Sequence, residues 1–178
     1  MPGEQPVVIL TDGFCEGEGE GVAAGFGAIL LDLTRSKAEW FGAWVPAPLI
    51  KLLRKLVCAD QLVGQAELIP AWAARVCWAD HLKNRRVVQF IDNDAARHGL
   101  IRGHSPSVAS AALLAAVWKV EAELNCLSWF DRVASKSNLA DGPSRLDFPG
   151  PVKIGGHLLT RVACPSVQPL ITILSEWA

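Results

Sequence analysis

Two short apolar runs, each closed by an aspartate, constrain this chain most. Val7-Val-Ile-Leu-Thr11 leads into Asp12, and Arg86-Val-Val-Gln-Phe-Ile91 leads into Asp92. Runs this short and this rich in β-branched residues read as strands. Each aspartate then stands at the C-terminal end of a strand, the edge of an open α/β sheet where ligands bind.

The remaining pattern supplies the other layers. After Asp12 a glycine-rich turn spans Gly13 to Gly21, and Ala24-Gly-Phe-Gly-Ala-Ile-Leu-Leu31 forms a second strand. A polar turn from Asp32 to Lys37 leads to Glu39-Trp-Phe-Gly-Ala-Trp-Val45, a third strand. Short connections make these three an antiparallel meander. Pro46 and Pro48 stop it, and apolar residues at helical spacing predict a helix over Leu49–Leu62. A second helix is expected over Ala66–Leu82. Pro70 fits it only within a first turn beginning near Gln65 or Ala66, or else at a kink. Helices are expected at Asp94–Ile101 and Ser107–Leu124, a fifth strand at Leu127–Val133, and a short helix containing Asp141. Long helical crossovers place the later strands parallel to the first, giving a mixed five-stranded α/β sheet flanked by helices.

This order brings Asp12, Glu67, Asp92 and Asp141 towards one place. Asp12 and Asp92 lie side by side if their strands are parallel neighbours. Glu67 sits in the first turns of the helix between them, and Asp141 opens the helix after the last strand. Taken singly, a strand-end or first-turn acid is an ordinary cap, and Asp147 is an alternative to Asp141. Gathered together, four carboxylates repel unless cations or protons neutralise them. Hard oxygen ligands without histidine or cysteine suit Mg²⁺ or Mn²⁺. Two such ions, roughly 3.5–4 Å apart, support in-line hydrolysis of a phosphodiester.

Four segments also resemble the ribonuclease H family. Asp12-Gly-Phe-Cys with Gly25-Phe-Gly-Ala-Ile-Leu30 resembles its first hairpin, and Gln65-Ala-Glu67-Leu-Ile-Pro-Ala71 its Glu-Leu-x-Ala helix. Ile91-Asp92-Asn93 is similar to its Thr-Asp-Ser strand end. Ser137-Asn138-Leu-Ala-Asp141-Gly-Pro-Ser144-Arg145 resembles the ending found in ribonuclease H domains of retroelement reverse transcriptases. The resemblance covers about residues 6–146. It implies a ribonuclease H-like fold and cleavage of the RNA strand of an RNA/DNA hybrid. Asp12, Glu67, Asp92 and Asp141 would be catalytic metal ligands for two Mg²⁺ ions, with Mn²⁺ as a substitute. Gly13, Gln65, Asn93, Asn138 and Arg97 would lie on the substrate side, Asn138 as a positioning residue. The sequence departs from the family in the loop before the last helix, where Val133-Ala-Ser-Lys-Ser137 lacks the usual histidine.

On this reading residues 1–146 form the ribonuclease H-like domain, with a helical insertion at about 47–63. Residues 147–178 form a C-terminal tail with a short terminal helix. The apolar stripe of Leu49–Leu62 suggests docking on a reverse transcriptase or other polymerase domain. The tryptophans are expected mostly in the core, as are the five scattered, reduced cysteines. Glu16, Glu18 and Glu20 place negative charge near the site. The formal net charge of −1 provides no whole-domain attraction to nucleic acid. The basic residues cluster instead, as Lys51, Arg54 and Lys55, as Lys83, Arg85 and Arg86, and as Arg97, Arg102 and His104. No apolar stretch reaches about 18 residues and the N-terminus lacks a signal-peptide pattern, so an intracellular protein, cytoplasmic or nuclear and not secreted, is expected. Two other readings share the site: a catalytically weak binding or structural module of a larger polymerase or ribonucleoprotein, and a related DNA nuclease.

Overall fold

A computed structural model describes residues 5–17, 21–57, 62–148 and 150–178. Strands β1 (Val7–Glu16), β2 (Ala23–Asp32) and β3 (Lys37–Trp44) form the antiparallel meander. β4 (Arg86–Ile91) runs parallel to β1, and β5 (Leu127–Arg132) parallel to β4. The mixed α/β sheet therefore has the expected strand directions. It carries six strands rather than five. In the segment read as a tail, β6 (Lys153–Ile154) and β7 (His157–Leu158) make a small hairpin, and β8 (Thr160–Arg161) pairs parallel to β3. The order is β5-β4-β1-β2-β3-β8. Among the described residues no helix is long and apolar enough to cross a membrane.

The helices are α1 (Ala47–Leu56), α2 (Val63–Cys77), α3 (Ala79–Leu82), α4 (Asp94–Arg102), α5 (Val108–Leu124), α6 (Asp141–Ser144) and α7 (Gln168–Ser175). Local chemistry sets several of their ends. The Asn93 side chain accepts from Ala96 N–H to start α4, and Gly103, at φ 65°, closes it. Ser107 caps α5 by accepting from Ser110 N–H, and Asn125 ends it at φ 49°. Short polar side chains satisfy free N–H groups, and glycine or asparagine takes the left-handed turn.

Side chains alternate across β1 into two cores. Val7 and Ile9 join α2, α5 and α7 in the larger one. Leu10 joins Ile29, Trp40, Ala140 and Leu159 in the smaller one on the other face. With both faces covered, β1 reads as a nearly continuous apolar run. α2 is buried from Gln65 through Arg75 and is the central helix of the larger core.

Several boundaries differ from expectation for tertiary reasons. β1 does not stop at Thr11. Its parallel ladder to β4 ends there, at Thr11↔Ile91, while its antiparallel ladder to β2 continues to Glu16↔Ala23. The expected helix over Ala66–Leu82 begins earlier, at Val63, and divides at Trp78 into α2 and α3. Pro70 thus lies in the interior of α2, not in a first turn. Of the helix expected over Leu49–Leu62, the chain is helical over Ala47–Leu56, and residues 58–61 lie outside the described residues. The apolar stripe of α1 that suggested an external partner is covered internally. Leu49 and Leu53 are buried, and α1 packs on α7, whose Leu170 and Leu174 are also fully buried.

Composition misled in three further places. Trp40, Trp72 and Trp78 are core residues, but Trp44 and Trp129 are 54% and 70% exposed. Arg85, grouped in sequence with the basic Lys83 and Arg86, is buried and bonds Asp32 and the Gln5 carbonyl. Cys15, Cys77, Cys126 and Cys164 are free and half-buried, while Cys58 lies outside the described residues.

Candidate metal centre

The carboxylates of Asp12, Glu67 and Asp92 meet where β1 and β4 end their shared ladder. One oxygen from each lies within 4.8 Å of the others. Asp12 is one residue beyond the last parallel pair on β1, and Asp92 holds the same position on β4. Parallel neighbours with equal ladder ends put these two side by side. Glu67 reaches them from the first turns of α2.

Pro70 explains how α2 comes so close. Without an N–H it leaves the carbonyl of Ala66 without its helical partner. The chain of β1 packs against that carbonyl at Gly13, where an added Cβ would sit 2.2 Å from the Ala66 oxygen. Only glycine permits this approach, and its Cα–H faces the orphaned oxygen, a weak hydrogen-bond arrangement. The Gly13 backbone N–H favours the charged form of the Glu67 carboxylate. Gly13 therefore acts through backbone and packing.

α6 approaches from the opposite side, over another glycine surface. An added Cβ at Gly27 would lie 2.4 Å from Ser144 N, and one at Gly42 1.9 Å from the Pro143 oxygen. Seated there, Ser144 Oγ donates to Asp12 Oδ2, and Asn138 Nδ2 donates to Asp12 Oδ1 at 3.3 Å and to the Thr11 carbonyl at 3.0 Å. Asn138 thus holds Asp12 in place. Ser144 was not among the expected site residues, although Pro143-Ser144-Arg145 closes the motif around Asp141. Its partner is 132 residues away in sequence, and no local pattern announces such a contact.

The electrostatics follow from burial. Burial raises the Asp12 carboxyl to about 6, and Asp92 and Asp141 push in the same direction while the Ser144 bond opposes them. Glu67 is raised to about 9, chiefly by burial and then by Asp12 and Asp92, against the Gly13 N–H. Glu67 Oε2 is buried with no hydrogen-bond partner. Three hard oxygen ligands, one of them with an unpartnered buried oxygen, form a donor set that fits a divalent metal ion.

The other expected residues are placed differently. Asp141 is close enough to raise Asp12, yet it stands outside the three-carboxylate group. Its Oδ1 accepts from Arg145 Nε at 3.0 Å, and Arg145 also pairs with Glu16 at 2.9 Å. Gln65 is buried and joins α2 to α5 through Ser110 Oγ at 2.9 Å. Asn93 caps α4, and Arg97 pairs with Asp94 at 3.1 Å on the same helix. Glu18 and Glu20 lie outside the described residues.

No protein-family model and no curated protein matches this sequence. Solved structures do. The ribonuclease H1 of the halophilic archaeon Halobacterium salinarum is similar over 78% of this chain and 97% of its own, at 16% identity and a TM-score of 0.58. LC11-RNase H1, isolated from compost by a metagenomic approach, matches 79% of this chain and 94% of its own, at 17% identity and TM-score 0.57. The same enzyme in complex with an RNA/DNA hybrid matches at 13% identity and TM-score 0.54, over 79% of this chain and 95% of that one. Together with the strand order, these likenesses give the chain a ribonuclease H-like fold, with a buried Asp12–Glu67–Asp92 cluster that could bind a divalent metal at the ladder end.

Proposed function

We propose that this chain is a divalent-metal-dependent endonuclease that hydrolyses the RNA strand of RNA/DNA hybrids. The observation that carries this reading is the convergence of Asp12, Glu67 and Asp92 on a ribonuclease H-like fold, with Glu67 Oε2 buried and unpartnered. The similarity to LC11-RNase H1 bound to a hybrid supports the choice of substrate. The Asn138–Arg145 ending supports an origin in a retroelement reverse transcriptase, and Mg²⁺, as two ions, is the proposed cofactor, with Mn²⁺ as a substitute.

Asp12, Glu67 and Asp92 would hold the metal, which when bound activates water and stabilises the leaving oxygen of a phosphodiester. Asn138 and Ser144 orient Asp12 from one side, and the Gly13 backbone N–H favours a charged Glu67 from the other. Asp141 is the proposed fourth ligand, and its Oδ1 is engaged by Arg145.

Incubation with a labelled hybrid and Mg²⁺ tests the proposal. Cleavage of the RNA strand, lost in Asp92→Asn, is expected; no cleavage, or cleavage unchanged in the variant, refutes it. The Asp141–Arg145 pair favours one other reading, a module that binds hybrids without cutting them. Hybrid binding with no metal-dependent product would establish that alternative. Duplex DNA in the same assay separates a DNA nuclease from either.

A further inference from the structure

A buried polar chain crosses the larger core and ends beside the carboxylates. Arg75 on α2 is fully buried, as are Gln89 on β4 and Thr11 on β1. The Arg75 Nε bonds Glu121 of α5, and Nη2 donates to Ser128 Oγ on β5 at 3.0 Å. Nη1 donates to Gln89 Oε1 at 2.9 Å, and Gln89 Nε2 donates to Thr11 Oγ1 at 3.0 Å. Thr11 immediately precedes Asp12. The chain therefore ties together α2, β4 and β1, which are the elements that bring Glu67, Asp92 and Asp12 to the site.

Stability alone does not account for such a network. Burying an arginine–carboxylate pair costs about as much as the attraction returns, and apolar replacements are often as stable. Apolar side chains at these positions would, however, leave the register of β1 on β4 weakly specified. On the face towards α2, Val7, Ile9 and Thr11 lie opposite Val87, Gln89 and Ile91. A slip of one residue is forbidden, because it would turn every side chain to the other core. A slip of two keeps every face and exchanges one β-branched contact for another. It would also displace Asp92 from Asp12 by roughly 6–7 Å, enough to dismantle a metal site. The Gln89–Thr11 bond reaches diagonally, from the partner of Ile9 to the next residue on the same face, and a slip would change that geometry. Arg75, held by Glu121 and by the Ala71 carbonyl at 2.8 Å, fixes which way the Gln89 amide points.

We propose that Arg75, Gln89 and Thr11 are positioning residues that lock the β1–β4 register, and with it the offset between Asp12 and Asp92. The proposal deepens the metal-site reading and rests on it. Thr11→Val removes the acceptor and keeps the side-chain shape. Ser128→Ala removes a different bond of the same arginine and leaves the Gln89–Thr11 bond in place, and Thr11→Ser restores the acceptor. Thr11→Ala replaces the valine variant if that protein does not fold.

Two measurements decide the matter: Mn²⁺ affinity by titration calorimetry, and amide hydrogen exchange in β1 and β4 without metal. Thr11→Val is expected to bind Mn²⁺ roughly 10- to 100-fold more weakly, the range for residues that support metal ligands. Its β1–β4 amides should exchange faster, while Ser128→Ala and Thr11→Ser match the wild type in both respects. Wild-type affinity in Thr11→Val, or equal weakening in Ser128→Ala, overturns the lock. If the wild type itself binds no Mn²⁺, the metal-site reading fails, and the exchange comparison still judges the lock. Faster β1–β4 exchange in Thr11→Val than in Ser128→Ala then upholds it, and equal exchange removes it.

Discussion

Replacing Glu67 with glutamine should stabilise the metal-free protein while destroying its metal site. Glu67 is buried beside two further carboxylates, and its carboxyl is raised from 4.5 to about 9. A folded-state value above the unfolded one means that the folded protein holds this proton more tightly. The resulting stability is fully present below pH 4.5 and is lost as pH rises towards 9. At pH 7 the loss amounts to about 3 kcal/mol, at 1.36 kcal/mol for each pH unit above the unfolded value. Glutamine has no proton to lose. Its amide can donate to Asp12 or Asp92, as the protonated Glu67 carboxyl can, without the cost of taking up a proton. Thermal melts in EDTA across pH 4 to 9 provide the assay. Glu67→Gln should match the wild type at pH 4 and exceed it at pH 7 by on the order of 10 °C, given a few degrees per kcal/mol at this chain length. Adding Mg²⁺ should raise the melting temperature of the wild type alone, since only a protein that binds the ion gains from it. A variant that melts below the wild type at pH 8 in EDTA, or that keeps the same pH slope, would refute the reasoning.

Other outcomes follow from the same geometry. Asp12 is raised from 3.8 to about 6 and Glu67 to about 9, so metal binding at pH 7 to 8 should displace protons. Calorimetry in buffers of different ionisation enthalpy measures that release, and Mn²⁺ affinity should fall as pH drops through 6 and Asp12 protonates. Gly27→Ala places a methyl 2.4 Å from Ser144 N and should lift α6 off the sheet. Chemical denaturation should show a loss of about 1–3 kcal/mol, as for overpacking elsewhere, together with weakened Mn²⁺ binding. Ser144→Ala removes the hydroxyl that steadies Asp12 and should weaken Mn²⁺ binding roughly 10-fold or more with little change in fold, checked by circular dichroism. Arg145→Gln frees Asp141 and should strengthen Mn²⁺ binding if that carboxylate completes the ligand set; unchanged affinity in Asp141→Asn would exclude it as a ligand.

Much of the frame was legible in the chain itself, because it is built from local signals. Short apolar, β-branched runs mark β1 and β4, and their closing aspartates mark the ladder ends. Ser107, Asn93 and Gly103 announce helix ends through bonds to residues a few positions away. Those signals sufficed to bring Asp12, Glu67 and Asp92 to one edge of the sheet. Tertiary structure decided the rest. β1 continues to Glu16 because its two neighbours end at different residues, which one strand's sequence does not record. Pro70 is tolerated within α2 because Gly13, far away in the chain, occupies the space beside the carbonyl that the proline leaves free. β8 joins the sheet through a two-residue pairing too short to carry a pattern, and α7 buries its leucines under α1. Asp141 pairs with Arg145 instead of joining the cluster, and Ser144 takes hold of Asp12. Each of these outcomes depends on which distant group fills a space or meets a charge, so the acids could be read from the chain, but their grip on one another only from the fold.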